Sequence, residues 1–431
     1  MRASRRSGTA PRGPSAGAGR SGRRRARPAA RVRRRRSSQA QRTRRRIKSA
    51  AMQPRRVALV HDFLLDVRGA ERVFLALCDL FPDADLFTAV YDESGTEGRF
   101  AQRRPTTSFL QRMRPDARTF RALLPLYPYA MEALDLRGYD LVISSSSAWA
   151  HGVIADADAV HVCYCHNPFR YAWNAREATL AKYDPLRRAA LGFVFQRWRQ
   201  WDWIAAQRVD VYTANSETTR KRVKRYFGRD ASVLYPPVET SRFSPGEPGD
   251  DYVVLSELMP HKRIDLAIAA FNALRLPLTV VGNGPDARRL RRIAGPNICF
   301  TGRVSDDEAG AFLRSAKALV VTATEEFGIA AVEAQAAGRP VIALREGGVR
   351  ETVIEGETGV FFERPEPAAL VDAVRAFDPL AFDPEACVAN AGRFDVAHFR
   401  HGLRALVDRA IEEDRPPRPR PRRARGLAIS Q

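Results

Sequence analysis

The strongest constraint on this chain is a rhythm of short apolar runs and helix-periodic stretches that plays through once, breaks, and begins again. From residue 55, RRVALVHDF reads as a buried strand, followed by a turn at RGA and the amphipathic segment ERVFLALCDLF. DLFTAVYD, YDLVISSSS, VHVCYCHNP, DVYTANSE and ASVLYPPVE are further strands with their exits. Between them lie a basic, aromatic stretch at 103–136 and a tryptophan-bearing helix around 187–206. Strands alternating with crossover helices imply a parallel sheet. The pattern restarts after SPGEPGDD, residues 244–251. YVVLSEL, LPLTVVGNG, NICFTG, AKALVVTA, RPVIALREGG and TGVFFE are its strands, and HKRIDLAIAAFNAL is its first helix. The fold class is therefore α/β, two Rossmann-like doubly wound parallel sheets over 52–243 and 251–395. A nucleotide is expected in the cleft between the carboxyl ends of their strands. An amphipathic helix over 396–414 follows.

Charge separates this body from its ends. The net charge is +22, yet residues 1–51 carry 19 Lys and Arg with no acid, and 415–431 carry six Arg with no acid. The remaining 46 basic residues face 49 acidic ones, so the body is close to neutral. Segment 1–51 has almost no large apolar residue and is expected to be a disordered basic extension. The Pro- and Arg-rich 415–431 is expected to be a disordered tail. Phosphate neutralisation on nucleic acid and attraction to an anionic membrane are two readings of such arms. A third is a translated upstream region, because Met52 stands just before the first strand. No apolar run approaches the ~18 residues of a membrane span. The five cysteines, Cys78, Cys163, Cys165, Cys299 and Cys387, form no paired framework, which suits a reducing cytoplasm. CYCH, residues 163–166, lacks the second cluster a zinc site requires.

TEEFGIAAVEAQAAG, residues 324–338, holds the sharpest chemistry. Glu325 falls on the loop at the end of a strand. A helix is expected to begin around Phe327–Gly328 and to stop at Gly338, with Ile329 and Glu333 inside it. Its first turn offers free N–H groups to a phosphate, and Gly328 permits close approach of a ligand to the backbone. Glu333 is suited to accept hydrogen bonds from a vicinal diol. The bland reading is a surface helix with two solvated acids.

This arrangement, with AAGRPVIA after it, resembles the retaining glycosyltransferases of family 4, which have the GT-B fold. HDFLLDVRGAERVF, YCHNPFRYAW, ANSETTRKRVKRYFG, YPPVETSRF, VVGNGP and GGVRETVIEGETGVFF look like blocks of the subgroup that includes O-antigen and capsule mannosyltransferases. The resemblance runs from about 55 to 410. It implies catalytic roles for Glu325, beside the transferred sugar, for His166 near the donor sugar, and for Lys262 on the diphosphate. It implies that Glu333 holds the ribose and that Arg263, Phe327, Gly328, Ile329 and Gly69 complete donor binding. Gly347 and Gly348, in REGGVRE, are candidate loop contacts. Without the resemblance, Lys262 reads as a water-facing lysine, His166 as a satisfied loop histidine, and Gly282 and Gly284 as an ordinary turn.

Two residues depart from the family. Gly69-Ala70 replaces its usual double glycine, and Glu257 stands where it usually has an arginine that binds the diphosphate. Either Arg263 compensates, or Glu257 turns away, or donor binding is weak; Glu257→Arg is expected to lower the donor KM. The implied reaction moves a hexose, mannose from GDP-mannose by subgroup, to a glycan or lipid-linked glycan acceptor with retention. A metal is not expected, since no Asp-x-Asp stands at a strand end and a helix terminus with Lys262 can meet the diphosphate. No cofactor beyond the nucleotide sugar is expected. Trp198, Trp201 and Trp203, interleaved with arginines over 187–208, suggest an interfacial helix and a peripheral place on the inner face of a membrane. The rivals are a GT-B protein that binds nucleotide sugar without transfer, and a nucleic-acid-binding protein acting through its tails.

Overall fold

A computed structural model describes residues 56–116 and 119–413. The expectations for 1–51 and 415–431 lie outside the described residues.

Seven strands form the first sheet: β1 (Val57–His61), β2 (Asp85–Thr88), β3 (Thr106–Thr107), β4 (Leu141–Ser146), β5 (Val160–Cys165), β6 (Val211–Ala214) and β7 (Ala231–Val233). Six form the second: β8 (Tyr252–Leu255), β9 (Leu278–Val281), β10 (Ile298–Gly302), β11 (Ala318–Val321), β12 (Val341–Leu344) and β13 (Gly359–Phe362). The orders are β3-β2-β1-β4-β5-β6-β7 and β10-β9-β8-β11-β12-β13, with every neighbouring pair parallel. Both sheets are doubly wound, as the strand–helix rhythm predicts, and together they form the two-domain GT-B architecture. In each, strand order reverses between the first and fourth strands, β1/β4 and β8/β11. At such a switch point the crossover helices diverge to opposite faces and leave a crevice at the carboxyl ends.

Five helices matter for the site and its support: α1 (Gly69–Leu80), α2 (Pro185–Ala206), α3 (Asp306–Ser315), α4 (Ile329–Ala336) and α5 (Val396–Glu413). Helix α5 does not extend the second domain. Its apolar stripe of Phe399, Leu403, Leu406, Val407 and Ala410 packs with Leu59, Phe74 and Leu77 in the core of the first. The chain thus crosses between domains twice, and the crossings pair with each other. Val238 N–H donates to the Phe394 carbonyl (3.0 Å), and Val396 N–H donates to that of Val238 (3.1 Å).

The tryptophans of α2 divide. Trp198 and Trp201 turn inward onto Trp149, while Trp203 stays half exposed. The outer face of this helix carries Leu186, Phe193 and Ile204. Among the described residues, no helix is long and apolar enough to cross a membrane.

Candidate functional site

The two switch points face each other across the cleft. After β1, Asp62 accepts main-chain N–H bonds from Ser147, Ala148, Trp149 and Ala150, which ties the exit of β1 to that of β4. The chain then enters α1 with Arg68 as its N-cap and Gly69 as its first residue. A Cβ on Gly69 would stand 3.2 Å from Ile329 Cδ1, so the absence of a side chain lets the amino end of α1 approach that of α4.

Opposite, β11 leads into Glu325 and then α4, which starts at Ile329 rather than at Phe327–Gly328. The cause is Gly328, the N-cap, whose φ of +96° is open to glycine and costly to other residues. Gly338, φ +74°, lies just beyond the helix. Lys262 Nζ donates to both carboxylate oxygens of Glu325, at 2.9 and 2.7 Å, so the two share the floor of one crevice. Thr322 Oγ1 donates to the Lys262 carbonyl (3.0 Å), which fixes the lysine's loop on the exit of β11. Glu326, the neighbouring acid, meets Arg170 (2.9 Å) and Arg222 (3.4 Å) of the first domain. Burial acts to raise its pKa, but Arg170, Lys262 and Arg222 prevail and hold it below the usual carboxylate value.

A cavity of about 420 Å³ is lined by Gly69, His166, Glu257, Lys262, Glu325 and Gly328. Phe327 and Ile329 also reach its wall. The Phe327 ring, however, is buried against Tyr235 and Phe394, so this residue serves the core more than a ligand. His166 is nearly buried, with Nε2 2.8 Å from Ser145 Oγ. Burial, with His61 nearby, pushes its pKa down to about 3, so the ring is neutral near pH 7.

A second cavity, about 1000 Å³, adjoins the first and is lined by Arg72, Glu257, Gly282, Gly284, Asp306 and Glu333 among others. Gly282 and Gly284 are therefore part of the cleft wall as well as a turn. Five arginines and five carboxylates on this wall form one connected series. Arg68 joins Glu257 (2.8 Å) and Asp66 (3.2 Å), and Arg303 joins Asp66 (3.0 Å) and Glu97 (3.1 Å). Arg99 lies 3.8 Å from both Glu97 and Asp306. Arg72 joins Asp306 (2.5 Å) and Glu333 (2.9 Å), and Arg242 stands 3.6 Å from Asp306. Burial raises the pKa of Glu333, with Arg72 opposing it.

Two expectations are corrected. Gly347 and Gly348 lie behind the Glu325 loop: a Cβ on them would meet Glu325 O at 2.1 Å and Glu326 O at 2.4 Å. They allow β12's exit to pack under that loop, and Gly348 N–H donates to the Glu325 carbonyl (2.8 Å). Arg263 does not compensate for Glu257. Its guanidinium reaches the Pro365 carbonyl (3.4 Å) and Asp265 (3.7 Å), and it is not among the residues lining either cavity. Arg68, from the other domain, takes that part. Sequence reasoning missed Arg68 and Arg72; a signal was present, since the N-cap Arg68 and Arg72 in the first turn of α1 stand four positions apart around Gly69.

Two family models match the chain in succession. Residues 67–242 match "Glycosyltransferase Family 4" and residues 237–386 match "Glycosyl transferases group 1". Among curated proteins, the chain is 33% identical over 219 residues to a GDP-mannose-dependent alpha-(1-6)-phosphatidylinositol monomannoside mannosyltransferase of Mycolicibacterium smegmatis, covering 43% of this chain and 56% of that one. It is 30% identical over 246 residues to a D-inositol 3-phosphate glycosyltransferase of Acidothermus cellulolyticus, covering 49% and 52%. The chain thus spans about half the length of the curated relatives it matches. Among solved structures, Anabaena HepE in complex with UDP-glucose superposes with a TM-score of 0.61 at 17% identity, covering 82% of this chain and 99% of that one. Sucrose-phosphate synthase of Thermosynechococcus elongatus gives 0.64 at 17%, covering 83% and 100%. At this identity, these two speak for the fold alone.

Proposed function

We propose, on the premise that both halves of the chain are glycosyltransferase domains, that it transfers a hexose from a nucleoside diphosphate sugar to a hydroxyl with retention at the anomeric carbon. The observation that carries this reading is the Lys262–Glu325 pair on the cleft floor, beside the amino ends of α1 and α4. A leaving diphosphate gains negative charge in the transition state. Two helix amino ends already in place stabilise it, and Lys262 adds its charge on turning from Glu325. The departing phosphate oxygen takes the acceptor's proton on the same face, and Glu325 meets the sugar once Lys262 turns to phosphate. Glu333 holds the ribose and His166 the donor sugar.

The larger cavity takes the nucleoside and the smaller one the sugar. GDP-mannose is the favoured donor, supported by the relative named as GDP-mannose-dependent. A lipid-linked glycan acceptor in cell-surface polysaccharide assembly, of the O-antigen and capsule kind, fits the outer face of α2, where Leu186, Phe193 and Ile204 stand with Arg197. Flotation with anionic vesicles tests that contact. The rival, binding without transfer, drew on Glu257, and the Arg68 pair that neutralises this carboxylate argues for transfer.

Retaining enzymes slowly hydrolyse their donors in the absence of acceptor. Proton NMR of GDP-mannose with the protein is expected to show α-mannose appearing first, with and without EDTA. First release of β-mannose, or no release from GDP-, UDP- or ADP-sugars, overturns the reading.

A further inference from the structure

Three consecutive serines of β4 each hold a histidine: Ser144 with His161 (2.8 Å), Ser145 with His166 (2.8 Å), and Ser146 with His151 (3.1 Å). Only the middle pair opens on the cleft, and it continues inward. Ser145 Oγ also lies 3.1 Å from His61 Nδ1, and His61 Nε2 lies 3.4 Å from Glu71 Oε1. His61 and Glu71 are buried, and the His61 ring stacks on Phe74 at 4.8 Å. The second oxygen of Glu71 accepts the Arg68 N–H (3.0 Å) in the capping box of α1. The series therefore runs from the first turn of α1, through β1 and β4, to the cleft.

We infer that Glu71, His61 and Ser145 form a buried relay that fixes His166 as its Nε2–H tautomer and leaves Nδ1 as a hydrogen-bond acceptor for a hydroxyl of the donor sugar. The polarity follows from counting protons. An ionised carboxylate only accepts, so His61 Nε2 carries the proton that faces Glu71. A single proton on the His61 ring is part of what we infer; it leaves Nδ1 bare to accept from the Ser145 hydroxyl, whereas a doubly protonated ring would donate there and reverse the series. Ser145 has one proton, now committed, so its oxygen accepts from His166 Nε2–H. His166 is neutral, as its burial requires, and its remaining nitrogen is bare. Nδ1 has no partner among the described residues, and the ring lines the smaller cavity. These three are positioning residues: they act on the sugar through His166. The role of His166 rests on the proposed donor site, but the tautomer does not.

The test uses the full chain labelled with ¹⁵N-histidine, without ligand, at about pH 8, above the ordinary histidine range. Two-bond nitrogen–proton spectra are expected to show His166 with a protonated Nε2 and a bare Nδ1. Ser145→Ala and His61→Phe, the latter keeping the ring stack on Phe74, should each give mixed tautomers, and Ser145→Thr should restore the single form. With nucleotide sugar, Ser145→Ala should lower kcat/KM about tenfold, the size of one lost hydrogen bond, while leaving the affinity for the nucleoside diphosphate unchanged. An Nδ1–H tautomer in the unaltered protein, or an unchanged tautomer in both variants, overturns the relay. The expected spectra together with no sugar-nucleotide turnover would uphold the relay and sink the donor site instead.

Discussion

At position 257 a carboxylate faces the cleft, and its charge is met from the opposite domain by Arg68 at 2.8 Å. Neither a neighbour in sequence nor a change of direction neutralises it. The pair is partly exposed, so its worth to stability is on the order of 0–1 kcal/mol. Its larger effect is on what a diphosphate meets. In Glu257→Arg two guanidiniums oppose each other until an anion enters between them. That protein should melt below the wild type without ligand and show a larger rise in Tm with GDP. Equal rises in a thermal-shift assay would mean that residue 257 does not face the phosphates. Glu325 and Glu333 were legible as candidates because they flank a strand exit and a helix start, where local patterning is strong, whereas Lys262 stood out only through the resemblance. Their union was not: Lys262 and Glu325 lie 63 positions apart, and Arg72 and Glu333 lie 261 apart. No periodicity spans such separations.

The elements were legible for a related reason. A strand buried on both faces reads as an apolar run, and β1, β9 and β12 do so. Strand β4 departs from that rule with LVISSS, six buried positions of which three are serines. It tolerates them because each hydroxyl has a histidine partner. Two of these histidines, His161 and His166, are pushed by burial down to about 3 from 6.5. Below 6.5 the unfolded chain takes up protons that the folded one refuses. Stability is therefore intact above 6.5 and falls as pH drops toward 3, by about 1.4 kcal/mol per pH unit for each group. Urea unfolding between about pH 6 and 4 should show His161→Gln losing one such contribution to the slope. Identical slopes would mean that His161 is not held neutral. The docking of α5 onto the first domain was not legible, because its apolar stripe specifies burial without naming the partner.

Across the whole molecule, the domains are joined by two paired crossings and by a ribbon of ten charges along the larger cavity. Seven of its contacts run between domains: Arg68–Glu257, Arg303 with Asp66 and Glu97, Arg99–Asp306, Arg242–Asp306, and Arg72 with Asp306 and Glu333. Because these groups other than the buried Glu333 are partly exposed, salt should loosen them, the screening length falling from about 10 Å at 0.1 M to about 3 Å at 1 M. Small-angle scattering of the ligand-free protein should show the radius of gyration rising over that range and falling again when GDP is added. A radius indifferent to salt would show that the ribbon does not set the domain spacing.

The proposed function stands on a nucleoside diphosphate sugar lying in this cleft, its ribose on Glu333 and its diphosphate over Lys262. Isothermal titration of the full chain with GDP-mannose, repeated on Lys262→Ala and Glu333→Ala, tests it most directly. Saturable binding to the unaltered protein is expected, weakened about tenfold or more in each variant, the cost of one charge-assisted hydrogen bond. Undiminished affinity in both variants, or no binding by any nucleoside diphosphate sugar, would contradict it.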